Sequence, residues 1–269
     1  MRYAAFLLLL MALPLRAQVF MTPFENAANL AMGSGTVGLQ QPINGVTNPA
    51  QLAYAPQIGV LAYSAVPYSI AGWQSHGFQF IKNVQERSGF SLDILHSGIE
   101  GYAEQRAQLS YGRKLSEKFA LGGGIQGMRV SADEYGSQSA LTFLVGFTAR
   151  VLPRLTLGAT IQNPAPQRVA GETIANILKI GGAWRPSELF LISTEIAKDL
   201  ERPAQIKAGV EYRPIALVRL RLGVRSYPAR TSFGAGFALK NGLNLDFGSE
   251  WHPVLGFTPA AMVSWTRSK

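Results

Sequence analysis

The chain has 269 residues, and its 25 Lys and Arg exceed its 16 Asp and Glu to give a formal net charge of +9. Only 15% of the residues are charged and 47% are hydrophobic, whereas a soluble domain usually carries about 25% charged residues. Cysteine is absent, which excludes disulfides, thiolate metal ligands and a cysteine-linked lipid anchor. The cations are spread singly along the chain, and nucleic-acid binding would need them clustered on one face. No nucleic-acid partner is therefore expected.

The first residues are typical of a secretory signal peptide. Arg2 supplies a positive charge, and an apolar run over residues 4–15 follows it. This run is shorter than the roughly 20 apolar residues that a membrane-spanning helix needs. Residues 1–17 are therefore predicted to be a signal peptide, with Ala17 as the last residue removed.

Residues 18–55 are dominated by small residues and structure breakers. They are predicted to form a compact N-terminal plug, or hatch, with one or two short helical turns. Its candidate motif is Asn48-Pro49-Ala50. The motif is either a functional latch of a luminal plug or a turn, in which Pro49 restricts Asn48 to extended geometry and the Asn48 side chain caps the turn. The turn chemistry of Asn and Pro favours the second interpretation.

Residues 56–269 alternate between apolar and polar or small side chains. Over 141–151, for example, Phe143 and Phe147 alternate with Thr142 and Thr148. The same period of two recurs over 206–213, 218–225 and 243–251, and similar segments lie near 57–68, 76–83, 88–100, 103–113, 118–131, 155–163, 175–185, 189–198, 231–240 and 258–267. A side-chain period of two is typical of β-strands. The pattern predicts about 14 antiparallel strands joined by short turns.

The alternation alone leaves open whether the apolar face points inward, as in a soluble periplasmic β protein, or outward into lipid. The signal peptide, the size of core that so many strands would need, and polar faces rich in Gly, Ser and Thr favour the outward orientation. The sequence therefore predicts an all-β fold: a transmembrane antiparallel β-barrel over 56–269 with a small N-terminal luminal plug. Its expected location is the bacterial outer membrane, and its expected surroundings are outer-membrane lipid.

Charged side chains on the polar faces of the last strands are predicted to line the lumen. Two roles are open for them: selection of anionic solutes by the Arg row, or a salt-bridge network that also includes Glu195. Unpaired charges in a narrow lumen are costly, which favours the network. The lumen-lining set is Lys207, Glu211, Arg213, Arg219, Arg221, Arg225, Asp246 and Glu250.

No pattern in the chain is typical of an enzyme. The histidines His76, His96 and His252 are far apart, and no serine lies in a Gly-x-Ser-x-Gly turn. The run at 122–124 is three glycines without the Lys-Ser/Thr of a phosphate loop, so it is predicted to mark a strand bend or a close approach of the plug. No catalytic residue, metal or cofactor is expected.

Several short segments along the chain carry a family likeness. They are the opening run at 29–35, the Asn-Pro-Ala-x-Leu-Ala segment at 48–53, the run Leu157-Gly158-Ala159-Thr160-Ile161-Gln162-Asn163-Pro164, and the last four strands from Leu222 to Gly256. Together they resemble the PorV/PorQ-like proteins, which belong to the wider superfamily of FadL-like barrels, with Gln51 standing where a glycine is usual.

This resemblance implies a 14-stranded barrel with its N-terminal segment folded into the lumen. It further implies a component or accessory of type IX secretion or surface-protein assembly, with secretion-machinery proteins as partners. The alternative is a FadL-like passive channel for uptake of hydrophobic compounds, with hydrophobic small molecules as partners.

Overall fold

The computed structural model describes residues 26–41, 47–85, 87–165, 167–169, 172–200 and 202–267. The predicted signal peptide lies outside the described residues. Among them, no helix has both the length and the apolar character needed to cross a membrane.

Fourteen of the described strands form a closed antiparallel barrel, which confirms the predicted fold class. Each strand pairs with its neighbour in sequence, and β1 pairs with β16 to close the cylinder. A two-stranded hairpin, β8–β9, stands apart, so that β7 pairs with β10. The strands are β1 Ile58–Ala65, β2 Gln74–Gln85, β3 Ser88–Ile99, β4 Tyr102–Lys114, β5 Phe119–Ala132, β6 Gly136–Leu152, β7 Leu155–Gln162, β8 Arg168–Val169, β9 Glu172–Thr173, β10 Ile177–Trp184, β11 Phe190–Asp199, β12 Gln205–Ile215, β13 Val218–Ser226, β14 Ala229–Ala238, β15 Leu243–His252 and β16 Gly256–Arg267.

The apolar side chains lie on the outside of this barrel. On β6, Leu141 is 54% exposed and Phe143 44%, whereas the intervening Thr142 is 1% exposed. Contiguous apolar surface on this scale is unsuited to water and matches the lipid-facing belt of a membrane barrel. The outward orientation predicted from the sequence is therefore confirmed.

Most strand ends lie within three residues of their predicted bounds, but the structure extends one strand further and adds a hairpin. Strand β6 begins at Gly136 rather than near 141, because residues 137–139 are polar and lack the apolar alternation on which the prediction rested. The hairpin of β8 and β9 was not predicted, since two-residue strands are too short to have a detectable period. It lies in the connection between β7 and β10, where Val169 and Ile174 pack against Met128 and Val130 of β5.

The two ends of the barrel differ. The terminal end is the one at which β1 begins and β16 finishes, and the far end is the opposite one. The long connections 66–73 and 163–176 both lie at the far end. The longest connection at the terminal end is 185–189 between β10 and β11, and the other far-end connections are equally short.

The described part of the N-terminal segment contains two short helical turns. Helix α1 spans Ala27–Ala31 and begins at Asn26, whose side chain accepts a hydrogen bond from the Asn29 N–H. A 3-10 helix spans Pro49–Tyr54 and begins at Asn48. Both turns are buried against the inner wall, and α1 packs on the hydrophobic side chains Leu61, Ala65, Ala260 and Met262 of β1 and β16.

Candidate functional site

A row of inward-facing glycines leaves room for the N-terminal segment. Gly89, Gly112, Gly122 and Gly146 are direct cross-strand partners on β3 to β6. A Cβ atom at Gly112 or Gly122 would overlap the backbone of Pro49, and one at Gly146 would overlap the Asn48 side chain. The close approach that the sequence suggested for 122–124 therefore occurs at Gly122, where the 3-10 helix contacts the wall.

Two further pairs of glycines leave room for the N-terminal segment on the opposite wall. Gly209 and Gly223 are cross-strand partners that face Met32. Gly234 and Gly248 are partners that face α1. The sequence prediction did not extend this role to these four glycines, although their recurrence at polar-face positions of successive strands is a readable signal.

Asn48 joins the N-terminal segment to the barrel wall. Its Oδ1 accepts from the Ala50 N–H at 3.1 Å, which is the turn-capping role. Its Nδ2 lies 2.9 Å from the Val37 carbonyl oxygen, and 3.1 Å from the carbonyl oxygen of Phe147 and from the Thr148 hydroxyl. The fully buried Asn48 amide thus caps the turn and also hydrogen-bonds to the barrel wall, and a latch function of Asn48-Pro49-Ala50 stays a prediction.

Glu195 on β11 anchors the same segment from the other side. One carboxylate oxygen accepts from the backbone N–H groups of Thr36 at 3.0 Å and Val37 at 2.9 Å. The other pairs with Lys207 Nζ at 2.9 Å, and this ammonium also reaches the Ser34 carbonyl oxygen at 3.3 Å. Glu195 and Lys207 are both 2% exposed. The pair therefore holds residues 34–37 by charge-assisted hydrogen bonds in a site closed to water.

A second ionic group lies toward the terminal end. Arg221 donates from Nε to Glu211 at 2.7 Å and from Nη1 to Asp246 at 2.5 Å. Arg213 pairs with the same Glu211 at 2.7 Å. Arg221 on β13 reaches Asp246 on β15 across β14, because the intervening Gly236 has no side chain to block the path. Arg219 donates to the Asn244 side-chain oxygen at 2.8 Å.

A third ionic group lies toward the far end. Arg225 and Arg230 both pair with Glu250. The Arg230 guanidinium also lies over the Tyr68 ring, 5.6 Å from its centroid, and donates to the Tyr68 hydroxyl at 3.2 Å. The structure thus places the predicted lumen-lining residues on the inner wall of β12 to β15, where the cations Lys207, Arg213, Arg221 and Arg225 contact carboxylates. Charge pairing, rather than a free cationic row, describes their arrangement.

The inner wall of β2 to β6 is polar and mostly uncharged. Gln79, Asp93, Gln108, Gln126 and Thr142 are successive cross-strand partners. Gln126 donates to Gln108 at 2.8 Å and accepts from the Thr142 hydroxyl at 3.2 Å. The interior therefore has an ionic half that anchors residues 33–37 and an amide-rich half across from it.

Tyr54 marks the end of the N-terminal segment at the terminal end. The Arg150 guanidinium lies 4.0 Å from its ring centroid and Lys114 Nζ lies 4.8 Å away. Arg150 also donates to the Gln40 side chain at 3.0 Å. Burial raises the pKa of the Tyr54 hydroxyl, and the nearby positive charge of Arg150 opposes part of that shift.

No family model matches the sequence, and no curated protein matches it. Solved structures do match in fold. The toluene transporter TbuX of Ralstonia pickettii has a TM-score of 0.73 at 13% identity, over 93% of this chain and 100% of that one. The toluene transporter TodX of Pseudomonas putida has a TM-score of 0.70 at 13% identity, over 94% and 100%. A FadL homologue of Pseudomonas aeruginosa has a TM-score of 0.69 at 12% identity, over 92% and 99%.

These likenesses extend over nearly the whole of each chain and show a shared FadL-like barrel fold. A closed barrel satisfies every strand edge internally, and its apolar outer wall suits a bilayer. The chain therefore has the fold and the lipid-facing outer wall of a membrane β-barrel, in agreement with the predicted outer-membrane location.

Proposed function

We propose that this protein admits small hydrophobic compounds across the outer membrane, through a barrel whose bore is occupied by its own N-terminal segment. The observation that carries the proposal is the unequal attachment of that segment. Toward β11 to β14 it is held by Glu195, Lys207 and Ser232, whereas toward β1 and β16 it makes apolar contacts. The fold shared with two toluene transporters supports this assignment.

The side of the N-terminal segment that faces β1 and β16 offers a hydrophobic molecule the passage of lower free energy. Leu30 of α1 belongs to one hydrophobic cluster with Leu61 and Met262 on the wall. A hydrophobic molecule can replace such contacts without stripping water or a counter-charge from a polar group. Passage on the ionic side would break buried ion pairs, each at a cost of about 3–5 kcal/mol. We place the route between α1 and the seam where β1 meets β16.

The direction follows from the connections. Membrane barrels have short periplasmic turns and longer extracellular loops. The far end, with its connections 66–73 and 163–176, is therefore assigned to the cell exterior. Compounds would enter there and leave at the terminal end.

Uptake of radiolabelled toluene and of a labelled long-chain fatty acid, in a deletion strain and its complemented parent, tests the proposal. Leu61→Trp is expected to lower uptake toward the deletion level, because the indole fills the contact between α1 and β1. Leu109→Trp is the matched control, since Leu109 lies on the outer wall and is 56% exposed. Uptake of both compounds that is unchanged on deletion contradicts the proposal.

A second candidate is an accessory role in type IX secretion or surface-protein assembly, of the PorV/PorQ type. The observation that favours it is the continuous wall. Among the described residues, every barrel strand pairs with both of its neighbours; register shifts occur near the terminal end, for example at Asn83/Gln85 and Arg150/Leu152, and residues 136–143 of β6 extend beyond β7. A closed wall around an occupied bore suits a protein that binds partners through its rim.

Affinity purification of the tagged protein from outer membranes tests this candidate. Large secretion subunits should co-purify, and the deletion strain should fail to attach its surface proteins. Normal export and attachment in that strain would exclude the role.

A further inference from the structure

A row of polar side chains crosses the outer wall of β1 to β6. Its members are direct cross-strand partners, and each points away from the lumen: Ser64, His76, His96, Gln105, Arg129 and Ser139. The adjacent row toward the terminal end is apolar or small: Ala62, Phe78, Ile94, Ala107, Gly127 and Leu141. On these strands the apolar side chains of the outer wall give way to polar ones at the boundary between the two rows.

A depression in the outer wall lies across this boundary. It encloses about 400 Å³, and its lining includes Ile94, Ala107 and Gly127 on the apolar side, with His96, Gln105 and Arg129 on the polar side. A Cβ atom added at Gly127 would have the Ala107 carbonyl oxygen, 3.9 Å away, as its nearest neighbour. The small residues Ala107 and Gly127 therefore leave open space between larger apolar neighbours.

None of the described barrel strands carries a carboxylate on the outer wall around Arg129, whereas the far-end turns beyond β3 and β5 carry Glu100, Asp133 and Glu134. Within the barrel strands that the structure describes, the acidic side chains alternate with the lipid-facing positions and lie on the inner wall: Asp93, Glu104, Glu195, Asp199, Glu211, Asp246 and Glu250. Arg129 donates from Nη2 to the Ser137 hydroxyl at 3.0 Å. Its charge forms no ion pair with any other described residue. His76 and His96, which face each other across β2 and β3, add further N–H groups to the same row.

We propose that this depression is a binding site for a phosphorylated lipid of the surrounding leaflet. One acyl chain would lie against Ala107 and Gly127, and the phosphate would contact Arg129, His96 and Gln105. The planar guanidinium offers paired N–H groups that match phosphate oxygens. With the far end outside the cell, the lipid belongs to the outer leaflet. The site is separate from the bore and does not depend on the proposed transport route.

Native mass spectrometry of the full-length protein in detergent, titrated with diphosphorylated lipid A, tests the site. Wild type is expected to retain one lipid A molecule more tightly than any further ones. Arg129→Gln should weaken retention about tenfold, the effect of losing one charge-assisted contact. Gly127→Leu should weaken it as well, by filling the depression. Dephosphorylated lipid A should bind wild type about as weakly as the intact lipid binds the Arg129→Gln variant.

Gly123→Leu is the matched control for shape. Gly123 lies on the same strand and the same outer face, and an added Cβ would meet only ordinary contact, 3.7 Å from the Leu144 carbonyl oxygen. Heat-modifiable migration on gels confirms that each variant is a folded barrel. The proposal is overturned if Arg129→Gln and Gly127→Leu retain lipid A as wild type does. It is also overturned if Gly123→Leu loses lipid A to the same extent as Gly127→Leu.

Discussion

The substitution Glu195→Gln separates the anchoring of the N-terminal segment from the integrity of the barrel. A glutamine side chain can still accept hydrogen bonds from the backbone N–H groups of Thr36 and Val37, which now bind the Glu195 carboxylate. It cannot neutralise Lys207, whose ammonium lies 2.9 Å from that carboxylate in a site closed to water. The variant therefore removes one charge and leaves its partner buried.

The expected effect on release of the N-terminal segment is large because the Glu195–Lys207 ion pair is buried. Removing one partner of a buried ion pair costs about 3–5 kcal/mol. The barrel ladder does not involve this side chain, so we expect the cost to favour release of the segment over unfolding of the wall. Taking the lower figure, about 3 kcal/mol, the released population rises roughly 150-fold, since each 1.36 kcal/mol is a factor of ten.

The chain contains no cysteine, so a single Thr36→Cys reporter gives an assay for release. Thr36 is fully buried, and a water-soluble maleimide can label the thiol only when the segment leaves the wall. Glu195→Gln should raise the labelling rate about 100-fold or more, and the double variant Glu195→Gln/Lys207→Met should return most of the way to the parent rate. Glu117→Gln is the control, because the Arg87–Glu117 pair is exposed and such pairs contribute little. A labelling rate unchanged by Glu195→Gln would refute the anchoring role.

Further predictions concern the wall and the end of the segment. Gly122→Val should lower the thermal midpoint of gel heat-modifiability and raise the conductance in planar bilayers, since its side chain would displace the 3-10 helix, whereas the outward Gly123→Val should leave both unchanged. Arg221→Met should cost about 3–5 kcal/mol of barrel stability in urea titrations because two carboxylates lose a buried counter-charge; a loss below 1 kcal/mol would contradict this. The raised pKa of Tyr54 means that, as pH rises past 10.0, the unfolded chain ionises this group before the folded chain does. Tyr54 should therefore stabilise docking below that pH and lose this contribution above it, and the phenolate absorbance of wild type minus Tyr54→Phe should rise only at a more alkaline pH.

The strand order and the outward apolar face could be read from the sequence because both depend on local pattern. A period of two over 206–213 or 218–225 fixes which residues share a face, whatever the rest of the chain does. Alternation missed residues 136–140 of β6, where the strand leaves the apolar zone, and β8 and β9, which are two residues long.

Contacts between distant parts of the chain were decided by the tertiary structure alone. The sequence indicated that Arg221 needs a carboxylate, because a buried charge is costly without one. The sequence could not predict that Arg221 pairs with two carboxylates, or that Gly236 leaves the path across β14 open. Both depend on strand register and barrel curvature. Likewise Glu195 was a possible counter-ion by its charge, but its hold on Thr36 and Val37 exists only because the chain returns some 160 residues later to the same point in the bore.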